Sequence, residues 1–158
     1  MAFPVNRLPW AVTLISLLAS MALVLSCSSP ESSEQFVRTG KTDIEGSYSF
    51  EADFEEGNSY DLDLYVNMVC GNVKFAQFPG ISLSLLWESP QEEKFSEDVF
   101  ISRENLDKDT YFVKSLVARY REDLMMDPAG KWGLTIGVPE EMIEHYGITG
   151  IGLRVTRR

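Results

Sequence analysis

Cysteine, histidine and basic side chains are all scarce in this chain. Its 158 residues include 2 cysteines and 1 histidine, and 14 Lys and Arg against 24 Asp and Glu give a net charge of −10. Negative charge of this size repels phosphate backbones, which disfavours nucleic acid as a partner. It also disfavours attachment to anionic lipid by charge alone. The simplest interpretation of the acidity is solubility.

The scarcity of cysteine and histidine limits the chemistry available to the chain. The histidine, His145, lies in a short acidic segment beside Glu141 and Glu144. A metal site needs three or four convergent ligands, which one short segment does not supply. We therefore predict a solvated surface histidine, with no metal and no cofactor.

Acidic residues occur in pairs, which is the pattern most open to an enzymatic interpretation. The pairs are Asp61 with Asp63, Glu92 with Glu93, and Asp107 with Asp109. Glycoside hydrolysis requires two carboxyl groups that converge across a cleft. No nucleophile motif accompanies the pairs, and no EF-hand loop pattern is present. The sequence therefore favours a protein that is not an enzyme.

The longest uncharged apolar run lies near the N-terminus, at residues 10–25, with Arg7 before it. This run has about the length of a secretory h-region and is short for a membrane span. We predict a signal peptide over residues 1–26.

The end of this run resembles the lipobox of bacterial lipoproteins, in which a small residue precedes an acylated cysteine. The sequence there is Val24, Leu25, Ser26 and Cys27. Leu is more common than Val three residues before the cysteine, and Leu25 is bulkier than usual. The resemblance implies cleavage after Ser26, a diacylglyceryl thioether on Cys27 and a third acyl chain on the new amino group. Two or more chains give stable anchoring, which makes a membrane the first predicted partner. With Cys27 acylated, Cys70 is left without a disulfide partner and is expected to be a small buried residue.

Serine and acidic residues follow Cys27, with little apolar content. Such a composition cannot bury enough surface to order itself, so we predict a flexible tether over residues 27–42. Glu31 and Glu34 also resemble the acidic stretches that direct some Bacteroidota lipoproteins to the cell surface. An ordinary polar tether explains them equally well, so the sequence leaves open a periplasmic or a surface-facing domain at the outer membrane.

Residues 43–158 show the period-two alternation of β-strands. Residues 47–54 and 60–68 have apolar residues at every even position, which predicts two strands with one buried face. The turn at residues 55–59 contains Gly57 and Asn58, which suit a hairpin. Further strands are predicted around residues 81–87, 95–101, 132–138 and 151–155. About seven short strands with regular turns indicate a single all-β domain, an antiparallel β-sandwich.

Two other segments are helix candidates. Residues 111–124 fit either a helix or a strand, and frequent β-branched and aromatic residues favour the strand. Residues 139–146 begin with Pro139, continue with acidic residues and are followed by Gly147. These features predict a short helix.

One strand carries the candidate contact face. Asp61, Asp63, Tyr65 and Asn67 alternate with the apolar residues of the strand at 60–68, so they share its other face. A tyrosine among polar residues suits contact with a glycan or a protein. The alternative is a lone surface tyrosine on a solvated face. Acidic residues at 51, 53, 61 and 63 are also expected to blunt strand edges.

The chain from about residue 48 to 155 resembles the gliding-motility lipoprotein H family of Bacteroidota. The similarity lies in residues 60–65 (YDLDLY), 81–85 (ISLSL), 130–136 (GKWGLTI) and above all 148–155 (ITGIGLRV). The family tends to show an Arg-Asn and a Tyr-rich segment where this chain has residues 67–72. The resemblance implies a non-enzymatic lipoprotein of the gliding and protein-secretion machinery, and it supplies no binding residues.

The sequence therefore predicts a lipid-anchored envelope lipoprotein that acts as a non-catalytic binding or assembly subunit, with an envelope protein as partner. The alternative function is a carbohydrate-binding or glycan-associated surface lipoprotein, since β-sandwiches often host such sites. Tyr65 is the residue that distinguishes the two hypotheses.

Overall fold

The computed structural model describes residues 31–42, 44 and 46–158. The predicted signal peptide, Cys27 and residues 28–30 lie outside the described residues. The strands are β1 (Ser32–Arg38), β2 (Ser47–Phe54), β3 (Tyr60–Val69), β4 (Ile81–Glu88), β5 (Lys94–Ile101), β6 (Leu106–Asp109), β7 (Val113–Leu124), β8 (Gly130–Gly137) and β9 (Ile148–Arg157). The helices are α1 (Asn72–Ala76), a 3₁₀ turn at Arg103–Asn105, and α2 (Glu140–Tyr146).

The strands form two antiparallel sheets, which confirms the predicted all-β sandwich. One sheet has five strands in the order β1-β9-β3-β7-β6, and the other has four in the order β2-β8-β4-β5. The alternating apolar residues of both sheets meet in one core. The largest fully buried side chains include Tyr48, Phe54, Leu64, Leu83 and Leu134. The strand neighbours of Tyr48, Phe54 and Leu83 are exposed or polar, as a sheet with one core face requires.

The segment at 55–59 does not form the predicted hairpin. β2 pairs only with β8, and β3 pairs with β7 and β9 in the other sheet. The turn has the expected chemistry, because Gly57 adopts a φ of 77°. The turn leads the chain from one sheet to the other, and the strands on either side of it do not pair with each other. A local turn sequence does not specify which strands pair.

The predicted flexible tether over residues 27–42 is wrong for residues 32–38, which form β1. This strand pairs with β9 from Ser32 opposite Thr156 to Arg38 opposite Gly150. Its side chains are largely exposed, so the sequence of this segment lacks the alternating apolar residues that would have predicted a strand. The folded domain therefore begins at Ser32 and not at residue 43.

The ambiguous segment at 111–124 is a strand from Val113 onward, as its β-branched residues favoured. The predicted helix at 139–146 is confirmed as α2. It follows Pro139 and ends at Gly147, which adopts the left-handed conformation with a φ of 63°. Acidic residues at 140 and 141 in its first turn suit the positive end of the helix dipole. α1, β6 and the 3₁₀ turn were not predicted, because each is too short to show a period.

Polar side chains join the two sheets along both sides of the sandwich. On one side, Gln35 of β1 donates from Nε2 to the carbonyl of Glu51 (2.5 Å) and accepts at Oε1 from the Glu51 amide (3.3 Å). Its amide thus pairs with the free edge of β2 as a backbone peptide would.

On the other side, Tyr120 of β7 links β4 and β5. Its hydroxyl accepts from Trp87 Nε1 at 2.9 Å and donates to Glu97. Arg121 closes the group with a 2.6 Å bond to Glu97 Oε2. Burial, followed by the bond to Glu97, raises the pKa of Tyr120 to about 12.

The Tyr120 bond predicts a loss of stability at alkaline pH. A folded-state pKa above the ordinary value of 10 means that this contribution is complete below pH 10 and lost as the pH rises towards about 12. Tyr120→Phe should therefore be less stable than the parent at pH 8 and lose less stability between pH 9 and 11.5. Urea unfolding at several pH values across this range measures the unfolding free energy of both proteins. Equal pH dependence in the two proteins would contradict the assignment.

Gly147 predicts a second stability effect. Its φ is positive, and a Cβ there would lie 2.5 Å from the carbonyl oxygen of Val69. Gly57 is the matched control, because its φ is also positive but nothing lies within 4 Å of its Cβ position. Gly57→Ala should cost about 1–2 kcal/mol for the left-handed backbone. Gly147→Ala should cost more, since the clash adds to it, and urea unfolding of both variants gives the difference.

Candidate functional site

The four residues of the predicted contact face lie together on β3, as the alternation predicted. β3 is the middle strand of its sheet, with β9 on one side and β7 on the other. Asp61 and Asp63 therefore do not blunt an edge, whereas Glu51 and Asp53 do lie on the edge strand β2. Only 8% of Asp61, 7% of Asp63 and 9% of Tyr65 are exposed, so most of this face is covered.

Arginines from β7 and the C-terminus donate hydrogen bonds to the two aspartates. Asp61 accepts from Arg158 Nε and Arg119 Nη1, both at 2.8 Å, and from the Asp123 amide at 3.0 Å. Asp63 accepts from Arg119 Nε at 2.5 Å. These bonds occupy both carboxylate oxygens of Asp61 and one of Asp63, which leaves fewer acceptors for a sugar hydroxyl or Ca²⁺. The two aspartates are therefore part of a structural ion-pair network.

The hydrogen bond from Arg158 is the main reason why the pKa of Asp61 is lowered, followed by the bond from the Asp123 amide, while burial acts in the opposite direction. The hydrogen bond to Asp63 raises the pKa of Arg119 further above its ordinary range, and the hydrogen bond to Asp61 does the same for Arg158. Asp61, Arg119 and Arg158 are thus charged at neutral pH.

This network predicts a loss of stability in acid. A lowered folded-state pKa means that the contribution of Asp61 is complete above its ordinary pKa of 3.8 and lost as the pH falls through its lower folded value. Asp61→Asn should therefore show a shallower fall in unfolding free energy between pH 5 and 2 than the parent. Asp53→Asn, at an exposed carboxylate of β2, is the control and should retain the parental slope. If the unfolding free energy, measured with urea, falls with pH equally steeply in Asp61→Asn and in the parent, the stabilising role of the Asp61 network is contradicted.

Tyr65 is covered by side chains of β9 and β1, which lie on one side of β3. The guanidinium of Arg154 lies 4.6 Å from its ring centre and pairs with Glu34 of β1 at 2.9 Å. A Cβ on Gly152 would lie 3.1 Å from the Gln35 carbonyl oxygen, 3.2 Å from Phe36 Cδ2 and 3.3 Å from Tyr65 Cβ, so β1 packs closely over β9 beside Tyr65. Burial raises the pKa of Tyr65. The expectation of an accessible tyrosine is wrong because β1, which supplies Glu34 and Phe36, was predicted to be a tether.

Two polar atoms on this face are buried without a hydrogen-bond partner among the described residues, the Tyr65 hydroxyl and Asn67 Oδ1. They lie next to each other along β3 but line none of the described cavities.

The remaining sequence candidates are dispersed. Cys70 is buried, and burial raises the pKa of its thiol, as expected for a structural cysteine. His145 is exposed on α2 and contacts the ring of Tyr146 edge-on. Within the described residues, no group of three or more His, Cys, Asp or Glu is placed to hold a metal ion.

Lys114 is a buried cation that the sequence did not reveal. It lies on the core side of β7 with no exposed surface. Its ammonium group donates to Asn72 Oδ1 and the Thr110 carbonyl, both at 2.5 Å, and to Asp109. These acceptors belong to α1 and to the β6–β7 turn, so Lys114 fixes both to the end of the sandwich.

Several exposed apolar side chains lie around this end of the sandwich. Val69 pairs with Val113 across β3 and β7, and the Phe112 carbonyl accepts from the Cys70 amide at 2.8 Å. The Tyr111 ring contacts the Phe112 ring edge-on at 4.5 Å. We name Val69, Val73, Tyr111, Phe112 and Val113 the apolar ridge, in which each residue is between 47% and 80% exposed. Apolar groups gathered in this way mark interaction sites.

A cleft of about 580 Å³ lies at the same end, between α1 and α2. Its walls include Lys74 next to Val73 of the ridge, and Glu141, Met142 and Glu144 of α2. Val69 and α2 are joined directly, because the Val69 amide donates to the Gly147 carbonyl at 2.8 Å. We name this space the acidic cleft.

The ridge was missed because its residues do not alternate. Residues 111–113 are three consecutive apolar side chains after Thr110, at the end of a segment that the sequence left ambiguous. A run of this kind at a turn is the only sequence feature that could have revealed an exposed apolar surface.

Comparison with protein-family models gives no match, and a search of curated proteins gives no significant match. Among the described residues, no helix is long and apolar enough to cross a membrane.

Proposed function

We propose that this chain is a bacterial envelope lipoprotein, anchored at the outer membrane through lipid on Cys27, that acts as a non-catalytic binding or assembly subunit. The apolar ridge is the observation that carries the binding role. Its five side chains are exposed although the same chain buries apolar residues throughout both sheets. Aromatic residues such as Tyr111 and Phe112 are also the types enriched in protein interfaces.

The position of the ridge supports a protein partner. Ser32 and Asp61 both lie opposite Thr156 of β9, so the start of the folded domain is level with the start of β3. Val69 follows Asp61 by eight residues of strand, a separation of about 26 Å at ~3.3 Å per residue. Only four residues of sequence lie between Cys27 and Ser32. A lipid on Cys27 would hold the Ser32 end near the bilayer, and the ridge would be presented at the opposite end.

The resemblance to the gliding-motility lipoprotein H family adds a proposed setting, the gliding and protein-secretion machinery. Two of the matching segments, at 60–65 and 148–155, are paired with each other in β3 and β9. They therefore belong to the centre of the fold, and the resemblance bears on the domain more than on a binding surface.

The glycan-binding alternative has less support. It depended on an accessible Tyr65 beside free carboxylates, whereas Tyr65 is 9% exposed and Asp61 and Asp63 are bonded to arginines.

Lipid attachment and partner binding are tested in two steps. Cells that express the tagged chain are labelled with an alkyne fatty acid, and we expect label on the parent and none on Cys27→Ala. In-cell crosslinking and mass spectrometry should then recover envelope proteins with the parent that are lost with Cys27→Ala. Cys70→Ala is the matched control and should behave as the parent in both steps.

Either of two results would contradict the proposal. Fatty-acid label that persists in Cys27→Ala would remove the lipid anchor. If the protein is labelled but crosslinks to no envelope protein, the lipid anchor is supported and the role as a binding subunit is contradicted.

A further inference from the structure

We infer that the apolar ridge and the acidic cleft form one docking surface for a protein segment rich in basic and apolar residues. This inference rests on the proposed function and specifies the chemistry of its partner. It is carried by the rigidity of the ridge, the charge of the cleft and the contact between them.

The ridge is built as a fixed surface. Three hydrogen bonds from buried Lys114 hold α1 and the β6–β7 turn, which carry Val73, Tyr111 and Phe112. The Thr110 side chain adds bonds to the Val113 amide (2.9 Å) and carbonyl (3.0 Å). A surface ordered in advance loses little conformational entropy when it binds.

The acidic cleft differs from the other acidic regions of the domain. On the outer face of the five-stranded sheet, Asp61, Asp63 and Glu122 are paired with arginines. In the cleft, Glu141 and Glu144 are exposed and have no salt bridge among the described residues. Among the described residues that line the cleft, these two carboxylates face the ammonium group of Lys74 and the imidazole of His145, so acidic groups outnumber the permanent positive charge. A partner that brings Lys or Arg would supply the missing charges, and its apolar residues would cover the ridge.

The same charges disfavour the other occupants. A second copy of the chain would bring two acidic clefts together across a two-fold axis, and like charges repel at such a contact. An anionic lipid surface would be repelled by the carboxylates and by the net charge of −10.

The test is selection of random 12-residue peptides displayed on phage. The full chain is held in nanodiscs of neutral phosphatidylcholine, and empty nanodiscs are used for counter-selection. We expect the selected peptides to be enriched in Lys or Arg together with aromatic or aliphatic residues. Their binding, measured by fluorescence anisotropy, should weaken as salt is raised from 50 to 500 mM, since salt screens exposed charges.

Substitutions locate the site on the chain. Phe112→Ser should weaken binding by about tenfold or more, as truncation of a central interface aromatic does. Phe95→Ser is its control, because Phe95 is 51% exposed at the other end of β5, where it pairs with Trp87 of β4. The double change Glu141→Gln with Glu144→Gln should weaken binding and reduce its salt dependence. Glu92→Gln with Glu93→Gln, in the β4–β5 turn, should do neither.

Circular dichroism and thermal unfolding confirm that each variant is folded, and Tyr111→Ser replaces Phe112→Ser if the latter is not. Four outcomes would overturn the inference: no selected peptides, peptides without basic enrichment, binding that Phe112→Ser leaves unchanged, or binding that the double Glu change leaves unchanged. In each case, envelope partners that depend on Cys27 would still be recovered by crosslinking if the proposed function holds, so the two failures are distinguishable.

Discussion

Burial of β3 on both of its faces is the constraint on which the rest of the domain depends. Its even residues, such as Leu62, Leu64 and Val66, enter the core between the sheets. Its odd residues face outward, but they are covered by arginines from β7, β9 and the C-terminus. Carboxylates can occupy such positions only if charged partners compensate for lost hydration. The position of β3 thus determines where β7, β9 and the C-terminal arginine lie, and it removes the face from ligand binding.

The sequence predicted what depends on local periodicity. The alternation in residues 47–54, 60–68 and 81–87 predicted the strands and the core, because one buried face leaves a period of two. Pro139 and Gly147 predicted α2 for equally local reasons. Strand pairing depends on residues that are distant in sequence. The turn after β2 was therefore predicted to close a hairpin, although it connects strands of different sheets.

The candidate site was harder to predict because it depends on contacts between distant residues. Tyr65 was expected to be accessible, but Glu34 and Phe36 of β1 lie more than 25 residues earlier and cover it. Lys114 lies where an apolar residue would be expected, and only the fold shows the acceptors around it. The exposed ridge follows from the same cause: the turn that Lys114 holds has its polar groups directed inward and its rings directed outward. A buried charge here orders an apolar surface.

The amide of Gln35 has a consequence for proteostasis. It occupies hydrogen-bonding groups at the edge of β2, and β1 itself covers the edge of β9. Detachment of this single strand would expose the edges of both sheets at once. Exposed strand edges are templates for intermolecular sheet growth. Ser32–Arg38, the first strand of the domain, therefore also acts as a guard against aggregation, and a protease that trimmed it would leave a core able to recruit other chains.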